Sequence, residues 1–239
     1  MHLADVFAAA ARRDPDRQFL RYGGRALSWR EASRHVEALA AALTDLGVTP
    51  GARIATALPN RPEAVLSLLA AARLGATAVP LNPSSTPHEL AFLLRQTRAA
   101  VLVASATVAG RDLAEWAPAL TADLPDLEVV VAVGGEDLWL EAPAVAWGDL
   151  LARGASLPAP EVPRDPASAL AIITTSGTTG KPKGVVLSHA ALLGAAGGTF
   201  AVLGATAADV SLLMVPNFTV FGVTVTLGAV EAGASLALL

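Results

Sequence analysis

The chain has 239 residues, of which 53% are hydrophobic and 16% are charged, and its net charge is −4. This composition predicts a globular protein with a large core, and it excludes extended disorder and a basic footprint for nucleic acid or an anionic membrane. Because the chain has no cysteine, disulfides, thiolate metal sites and a cysteine nucleophile are excluded as well. The first residues lack the layout of a secretory signal, so we expect a cytoplasmic protein.

Helix and strand patterns alternate along the first hundred residues. Ser28-Trp29-Arg30-Glu31 has the form of a capping box, and the apolar residues after it recur at helical spacing until Gly47. A short strand follows over residues 53–58, and the pattern then predicts a helix over 62–74 that ends at a glycine. The next stretch, "ATAVPL", is typical of a strand.

The same alternation continues as far as residue 175. Thr86-Pro87-His88-Glu89 is a second capping box, and "AAVLVAS", "LEVVVAV" and "ALAIITT" are runs typical of buried strands. Strands that alternate with helices at this spacing predict an α/β fold with mainly parallel sheets flanked by helices. Residues 154–166, rich in proline, are predicted to form a surface connection.

The segment "TTSGTTGKPKG", residues 174–184, begins where the predicted strand 169–175 ends. In open α/β sheets ligands bind at the carboxyl ends of strands, and glycines allow the backbone to approach a phosphate closely. The chain has 17 basic residues but only two lysines, Lys181 and Lys183, and both lie in this segment. The spacing differs from that of a Walker loop, so classical P-loop ATPases and kinases are disfavoured.

The histidines do not indicate a second functional site in the sequence. His2, His35 and His88 are scattered, and no pair of them has a metal-ligand spacing, so we predict no metal site. His189 follows Ser188 at a predicted helix start, where an ordinary first-turn position is favoured over a general base.

The segment "IITTSGTTGKPKGVVLSH" closely resembles the phosphate-binding signature of the adenylate-forming superfamily. This superfamily includes AMP-forming acyl-CoA synthetases, adenylation domains of peptide synthetases and luciferases. The stretches "LSWREASRHVEALAAAL", "LPNRPEAVLSLLAAARLGATAVPLNP" and "LAFLLRQTRAAVLV" are similar to successive N-terminal segments of acyl-CoA synthetases, in the same order. "VPNFTVFGVTVTLGAVEAGASLALL" resembles the next segment, which lines the acyl pocket, so the resemblance covers nearly the whole chain.

The resemblance implies a set of site residues. Lys183 is the predicted catalytic residue, while Lys181 falls on a variable position of the motif. The acyl-pocket segment includes Asn217, Phe218 and Thr219, and Thr219 stands where many acyl-CoA synthetases carry a histidine. The residues implied to contact the phosphates of ATP are Thr175, Ser176, Gly177, Thr178, Thr179, Gly180 and Lys183.

The implied chemistry has two steps. A carboxylate attacks the α-phosphorus of ATP to give an acyl-adenylate and pyrophosphate, and a thiol then displaces AMP. The thiol belongs to CoA or to the phosphopantetheine arm of a carrier protein, and Mg²⁺ accompanies the phosphates. Positioning and charge neutralisation carry most of the first step, since little covalent chemistry falls to the protein.

Family members are roughly twice as long as this chain, so we expect it to be the N-terminal part of such a ligase. The resemblance implies one nearly complete α/β subdomain over residues 51–205, with 1–50 and 206–239 belonging to a truncated second subdomain. The alternative is a non-catalytic half-protein that binds nucleotide or a partner chain.

Two long uncharged runs cover residues 190–208 and 210–230. Their length alone would suit membrane spans, but a proline, an asparagine, several glycines and many threonines favour a helix-strand-helix unit instead. If these runs belong to a core that is incomplete here, we expect the chain to self-associate or to bind its missing half.

Overall fold

The computed structural model describes residues 1–108, 110–134, 144–175 and 182–239. Helices and strands alternate through most of this part of the chain. The helices are α1 (Leu3–Arg13), α2 (Trp29–Asp45), α3 (Pro62–Leu74), α4 (Pro87–Thr97), α5 (Leu113–Asp123), α6 (Trp147–Gly154), α7 (His189–Val202) and α8 (Val220–Ala232).

The strands that lie between these helices are short. They are β1 (Gln18–Tyr22), β2 (Arg25–Ser28), β3 (Arg53–Ala57), β4 (Thr77–Pro80), β5 (Val101–Ser105), β6 (Thr107–Val108), β7 (Arg111–Asp112), β8 (Val129–Val133), β9 (Ala144–Ala146), β10 (Ala169–Thr175), β11 (Lys183–Ser188), β12 (Val210–Leu213) and β13 (Ser235–Leu238).

A seven-stranded sheet forms the larger part of the fold. Its strand order is β11-β10-β4-β3-β5-β8-β9, and every neighbouring pair is parallel except β10 and β11, which are antiparallel. The predicted α/β class with mainly parallel sheets flanked by helices is therefore confirmed. The six parallel strands β10, β4, β3, β5, β8 and β9 all have their carboxyl ends at one edge of the sheet. The candidate site lies at that edge.

A four-stranded sheet with the order β12-β13-β1-β2 combines strands from distant parts of the sequence. Strand β1 forms a hairpin with β2 and pairs in parallel with β13, with Leu20 opposite Leu236. Ser235 reinforces this pairing, since its hydroxyl donates to the carbonyl oxygen of Gln18, 217 positions away, at 2.6 Å.

The seven-stranded sheet buries both of its faces. On β5, Val101 and Val103 belong to one apolar cluster, whereas Leu102 and Ala104 belong to a second cluster on the other side. Successive side chains of a strand point to opposite faces, so nearly continuous apolar runs mark strands covered on both faces. Helices α4 and α5 cover the second cluster, and the other helices border the first.

We propose that residues 51–205 form one subdomain and that 1–50 with 206–239 belong to the other. The two proposed subdomains share a core. Phe19 stacks on Trp29 with ring centroids 3.9 Å apart, and both lie in the same buried cluster as Ile54 of the larger sheet. Each part therefore depends on the other for its apolar cover.

Both predicted capping boxes are confirmed. The Ser28 hydroxyl accepts from the backbone N–H of Glu31 at 3.2 Å, and the Glu31 carboxylate accepts from the backbone N–H of Ser28 at 2.7 Å. Thr86 and Glu89 make the same reciprocal bonds at the start of α4. The sequence patterns did not predict α1, the β1–β2 hairpin, α5 or α6.

The two uncharged runs form α7, β12 and α8, which confirms the helix-strand-helix prediction. In the described ranges, no helix is long and apolar enough to cross a membrane. Several large apolar side chains of this region are nevertheless exposed, and the most exposed are Val202 at 89%, Leu203 at 71%, Met214 at 71% and Phe221 at 59%.

Candidate functional site

The described ends of the glycine-rich loop lie opposite each other on the β10–β11 hairpin. Thr175 is paired in register with Lys183, and the Thr175 hydroxyl donates to the Lys183 carbonyl oxygen at 3.4 Å. Both residues are exposed. Because the strands are antiparallel, the end of β10 and the start of β11 meet at the same edge of the sheet, and the loop connects them there.

Six residues of the predicted phosphate loop are not part of the described structure. Ser176, Gly177, Thr178, Thr179, Gly180 and Lys181 lie outside the described residues. The structure therefore places Thr175 and Lys183 and leaves the other predicted phosphate contacts as predictions.

Two contacts hold the described part of the hairpin. The Gln96 side-chain amide of α4 donates to the Pro182 carbonyl oxygen at 3.0 Å. Gly184 lies against Ile172 so closely that a Cβ at this position would be 2.9 Å from Ile172 Cγ2. A glycine is needed here because a side chain would push the start of β11 away from β10.

The predicted acyl-pocket residues lie between β12 and α8. Thr219 caps α8, since its hydroxyl accepts from the Gly222 N–H at 3.1 Å and donates to the Pro216 carbonyl oxygen at 2.8 Å. The capping role explains what a threonine does at this position, because Thr is a favoured N-cap residue. Asn217 and Phe218, the other two predicted pocket residues, are half-buried.

Asn60 joins the two sheets at this edge, and the sequence patterns did not single it out. Its side-chain amide donates to the carbonyl oxygens of Leu213 and Val215, both at 3.0 Å, and its Oδ1 accepts from the Asn217 backbone N–H at 2.8 Å. The Asn217 side chain returns a bond to the Pro59 carbonyl oxygen at 2.9 Å. An asparagine just after a strand was the only local signal of this role.

The two groups of site residues share one edge. Strand β3, which precedes Asn60, is separated from β10 by β4 alone, so the loop and the Asn60 region are about 10 Å apart along the sheet at the usual strand spacing. Asn217 also lines a small cavity of about 20 Å³ with Thr56 and Pro80, which lie in the last residues of the neighbouring strands β3 and β4.

His189 lies far from the loop. It follows the far end of β11, about 20 Å from Lys183 at the rise of an extended strand. The His2 ring stacks on the buried His189 ring at a centroid distance of 3.7 Å, a contact that the sequence patterns did not indicate. Burial lowers the pKa of His2, and it lowers the pKa of His189 to about 4.

Metal-binding residues do not gather at this edge among the described residues. In that part of the chain, no group of three or more His, Asp or Glu side chains could hold a metal ion. We therefore assign no described residue as a magnesium ligand.

The described fold is α/β with mainly parallel sheets, and the candidate site lies at the carboxyl edge of these sheets. The sequence model of the AMP-binding enzyme family matches residues 7–239, and the chain belongs to this family. The resemblance of the glycine-rich segment to the adenylate-forming signature is thereby confirmed.

Related proteins include ligases that act on different acceptors. The chain is 36% identical over 193 residues to the salicyl-AMP ligase / salicyl-S-ArCP synthetase of Mycobacterium tuberculosis, covering 78% of this chain and 33% of the relative. It is 32% identical over 225 residues to 4-coumarate–CoA ligase 1 of Oryza sativa, covering 89% and 38%. The chain thus spans little more than a third of the length of these relatives.

A solved structure matches the whole fold. The apo structure of MbtA from Mycobacterium smegmatis superposes with a TM-score of 0.87 at 28% identity, covering 100% of this chain and 44% of that chain. The described arrangement of sheets and helices is therefore shared with a longer protein, over less than half of that protein's length.

Proposed function

We propose that the chain acts as the N-terminal part of an ATP-dependent, AMP-forming ligase that activates a carboxylic acid. One acid oxygen bonds to the α-phosphorus of ATP as the bond to the β-phosphate oxygen breaks, which gives an acyl-adenylate and pyrophosphate. A thiol then attacks the acyl carbon and AMP leaves. The observation that carries this proposal is the shared edge, where Thr175 and Lys183 flank the glycine-rich loop on the same side of the sheets as Asn217.

Lys183 supplies the positive charge in this proposal. Its exposed position at the start of β11 leaves the ammonium group free to meet a polyphosphate, and a compact ammonium on a flexible stem suits that role. Thr175 and the loop residues Ser176–Gly180 donate hydrogen bonds to phosphate oxygens, as the family signature implies. Magnesium neutralises phosphate charge when it is bound.

The acid lies beside the segment that joins β12 to α8. Part of its pocket is formed by Asn217, Phe218 and Thr219. The Thr219 hydroxyl caps the start of α8, and this position supplies no imidazole to the pocket. The acceptor is the thiol of CoA or of a carrier-protein phosphopantetheine arm. Two relatives support this choice, one named as a synthetase of salicyl-S-ArCP and the other as a CoA ligase.

The test is acid-dependent exchange of labelled pyrophosphate into ATP, measured on the ligase that contains this chain. Salicylate, 4-coumarate and 4-chlorobenzoate are suitable first acids because relatives are named for them. We expect exchange with at least one carboxylic acid and none without acid. If exchange proceeds equally well without any acid, or if ATP is cleaved to ADP, the proposal is wrong.

A second candidate function is association without turnover, and the exposed apolar side chains favour it. Val186 on the edge strand β11 is 64% exposed, and Leu212 on the edge strand β12 is 48% exposed. Large exposed apolar groups beside open sheet edges are typical of an interaction surface. We propose that this surface is covered by the C-terminal part that the longer relatives possess.

A further inference from the structure

Asn60 uses its side chain as a substitute for a sheet partner. It lies three residues after the end of β3, and its amide and carbonyl groups bond three backbone groups of residues 213–217. Two donors and one acceptor on one short side chain match the alternating carbonyl and N–H groups of an extended chain. No charged or hydroxyl side chain of similar size offers the same three bonds.

These bonds are long-range links for the pocket segment. They join positions 153 to 157 residues apart, and the Asn217 amide adds a fourth bond, to Pro59, over 158 positions. In the described part of the chain, the other hydrogen bonds of residues 214–218 are local ones, such as that from Thr219 to Pro216. The position of this segment relative to the larger sheet therefore depends on Asn60.

The other end of the segment is fixed by α8. A Cβ at Gly222 would lie 2.2 Å from the Pro216 carbonyl oxygen, so the turn is packed directly on the first turn of the helix. The hydroxyl of Thr219 caps the same turn. With the Asn60 amide on one side and the helix on the other, Asn217 and Phe218 have one defined position at the edge.

We propose that Asn60 is a positioning residue for the acid: it sets the acyl-pocket segment at a fixed distance from Thr175 and Lys183 at the carboxyl edge of the larger sheet. This inference rests on the proposed ligase function, and it deepens that function by assigning acid binding to a contact between the two sheets. Displacement of the segment by even 1 Å would misplace the acid relative to the α-phosphorus. ATP, held at the loop, would be bound as before.

The decisive variant is Asn60→Asp, which keeps the size and the acceptor for the Asn217 N–H. It replaces both donor bonds by a carboxylate oxygen facing the carbonyl oxygens of Leu213 and Val215. Asn82→Asp is the matched control. Among the described residues the Asn82 side chain makes one hydrogen bond, a local one accepted from the Ser84 N–H, and a carboxylate also accepts that bond. Asn60→Ser, which adds no charge, serves as a second variant if the aspartate variant does not fold.

The first measurement is amide hydrogen exchange at Asn217 in this chain, at a temperature where circular dichroism shows every variant folded. We expect exchange to accelerate at least tenfold in both Asn60 variants, because the aspartate repels the two carbonyl oxygens and displaces the segment, and the shorter serine removes the acceptor for the Asn217 N–H. Exchange should not accelerate in Asn82→Asp. Unchanged exchange in both Asn60 variants would overturn the inference, whether or not the chain belongs to an active ligase.

The second measurement is pyrophosphate exchange in the ligase, with KM determined separately for the acid and for ATP. We expect the Asn60→Asp variant to raise KM for the acid about tenfold and to leave KM for ATP unchanged, which a general loss of folding would not do. An equal rise in both, or no rise for the acid, overturns the inference alone. A parent enzyme without acid-dependent exchange overturns the proposed function, and the positioning role falls with it.

Discussion

The imidazole rings of His2 and His189 stack at a centroid distance of 3.7 Å with an interplanar angle of 24°. Nδ1 of His189 accepts the Leu3 backbone N–H at 3.2 Å, and Nδ1 of His2 accepts the Ala4 N–H at 3.3 Å. Each bonded Nδ1 is an acceptor, so each ring is neutral with its proton on Nε2. The pair fastens the start of α1 to the start of α7.

Protonation of this pair should make stability depend on pH. Folding lowers the pKa of His189 from 6.5 to about 4, chiefly through burial and then through His2 and the terminal amino group. Between these values the unfolded chain binds a proton that the folded chain does not, so the free energy of unfolding falls as pH falls from about 6.5 to about 4. The loss is about 3 kcal/mol.

Urea unfolding at several pH values measures this loss in an untagged chain. The charges of Asp5 and Asp165 act to raise the pKa of His189, and the charge of Arg164 lowers the pKa of His2. These three residues therefore stay unchanged in every variant that is compared. In a His189→Asn variant the decline between pH 6.5 and 4 should be markedly shallower. An equally steep decline in that variant would assign the effect to other groups.

Glu231 on α8 is a second buried titratable group. In the described structure neither of its carboxylate oxygens has a hydrogen-bond partner, and burial raises its pKa. The folded state therefore disfavours the ionised form, and stability is lost as pH rises above the pKa of the unfolded side chain. We expect Glu231→Met to raise the free energy of unfolding at pH 7.5 by about 1–2 kcal/mol.

The gain from Glu231→Met should shrink as pH falls below about 4.5, where both states of the parent carry the proton. Glu128→Met, at an exposed position, is the control and should change stability by less than about 0.5 kcal/mol. A gain that is the same at pH 4 and pH 7.5 would contradict the role of ionisation.

Helices α7 and α8 pack closely because Gly228 leaves room for a ring. A Cβ at this position would lie 2.1 Å from Cδ2 of Phe200. We expect Gly228→Ala to lower the free energy of unfolding by about 1–3 kcal/mol through overpacking. Gly194→Ala on α7 is the control, since no described atom lies within 4 Å of its added Cβ, and helix propensity should make it stabilising. Thermal denaturation of both variants decides the point.

Under the proposed function, Lys183→Ala should weaken ATP binding by at least tenfold, because the proposed phosphate site loses its positive charge. Calorimetric titration of MgATP into the chain measures the change. Lys181→Ala, which removes the only other lysine, should bind as the parent does. Equal losses in the two variants would mean that net charge rather than the position of Lys183 governs binding.

The exposed apolar side chains predict self-association of the isolated chain. Met214 and Phe221, near β12 and the start of α8, are the best positions for removal. We expect light scattering to show species larger than a monomer for the parent chain. The double variant Met214→Lys, Phe221→Lys should have a smaller average mass, closer to that of the monomer. A sharp monomer peak for the parent, with no binding of a hydrophobic dye, would contradict this.

Local patterns in the sequence predicted the helices and strands that are specified by residues within a few positions of one another. Examples are the capping boxes at Ser28 and Thr86 and the β-branched run of β10. Each depends on residues only a few positions apart, so the local sequence is enough to predict it. Helix α1 was missed because it has His2 in place of a Ser, Thr, Asp or Asn cap. The family resemblance, rather than periodicity, supplied the role of Lys183.

Contacts between distant residues could not be predicted in the same way. The bonds from Asn60 to residues 213–217 and the stack of His2 on His189 exist only once the two sheets have come together. Nothing in the sequence around Asn60 indicates which carbonyl oxygens it will meet, since the choice depends on the packing of α3 and α8 in the folded protein.

The parallel pairing of β1 with β13 also constrains the order of events during synthesis. The β1–β2 hairpin leaves the ribosome early, but its other neighbour contains Ser235, 217 positions beyond Gln18. Until that strand emerges, β1 has an open edge and Leu20 lacks its cover, and such species attract chaperones and aggregate readily. Because β1 must pair with a strand so distant in the sequence, the four-stranded sheet should fold slowly, and its folding should be sensitive to any truncation that removes β13.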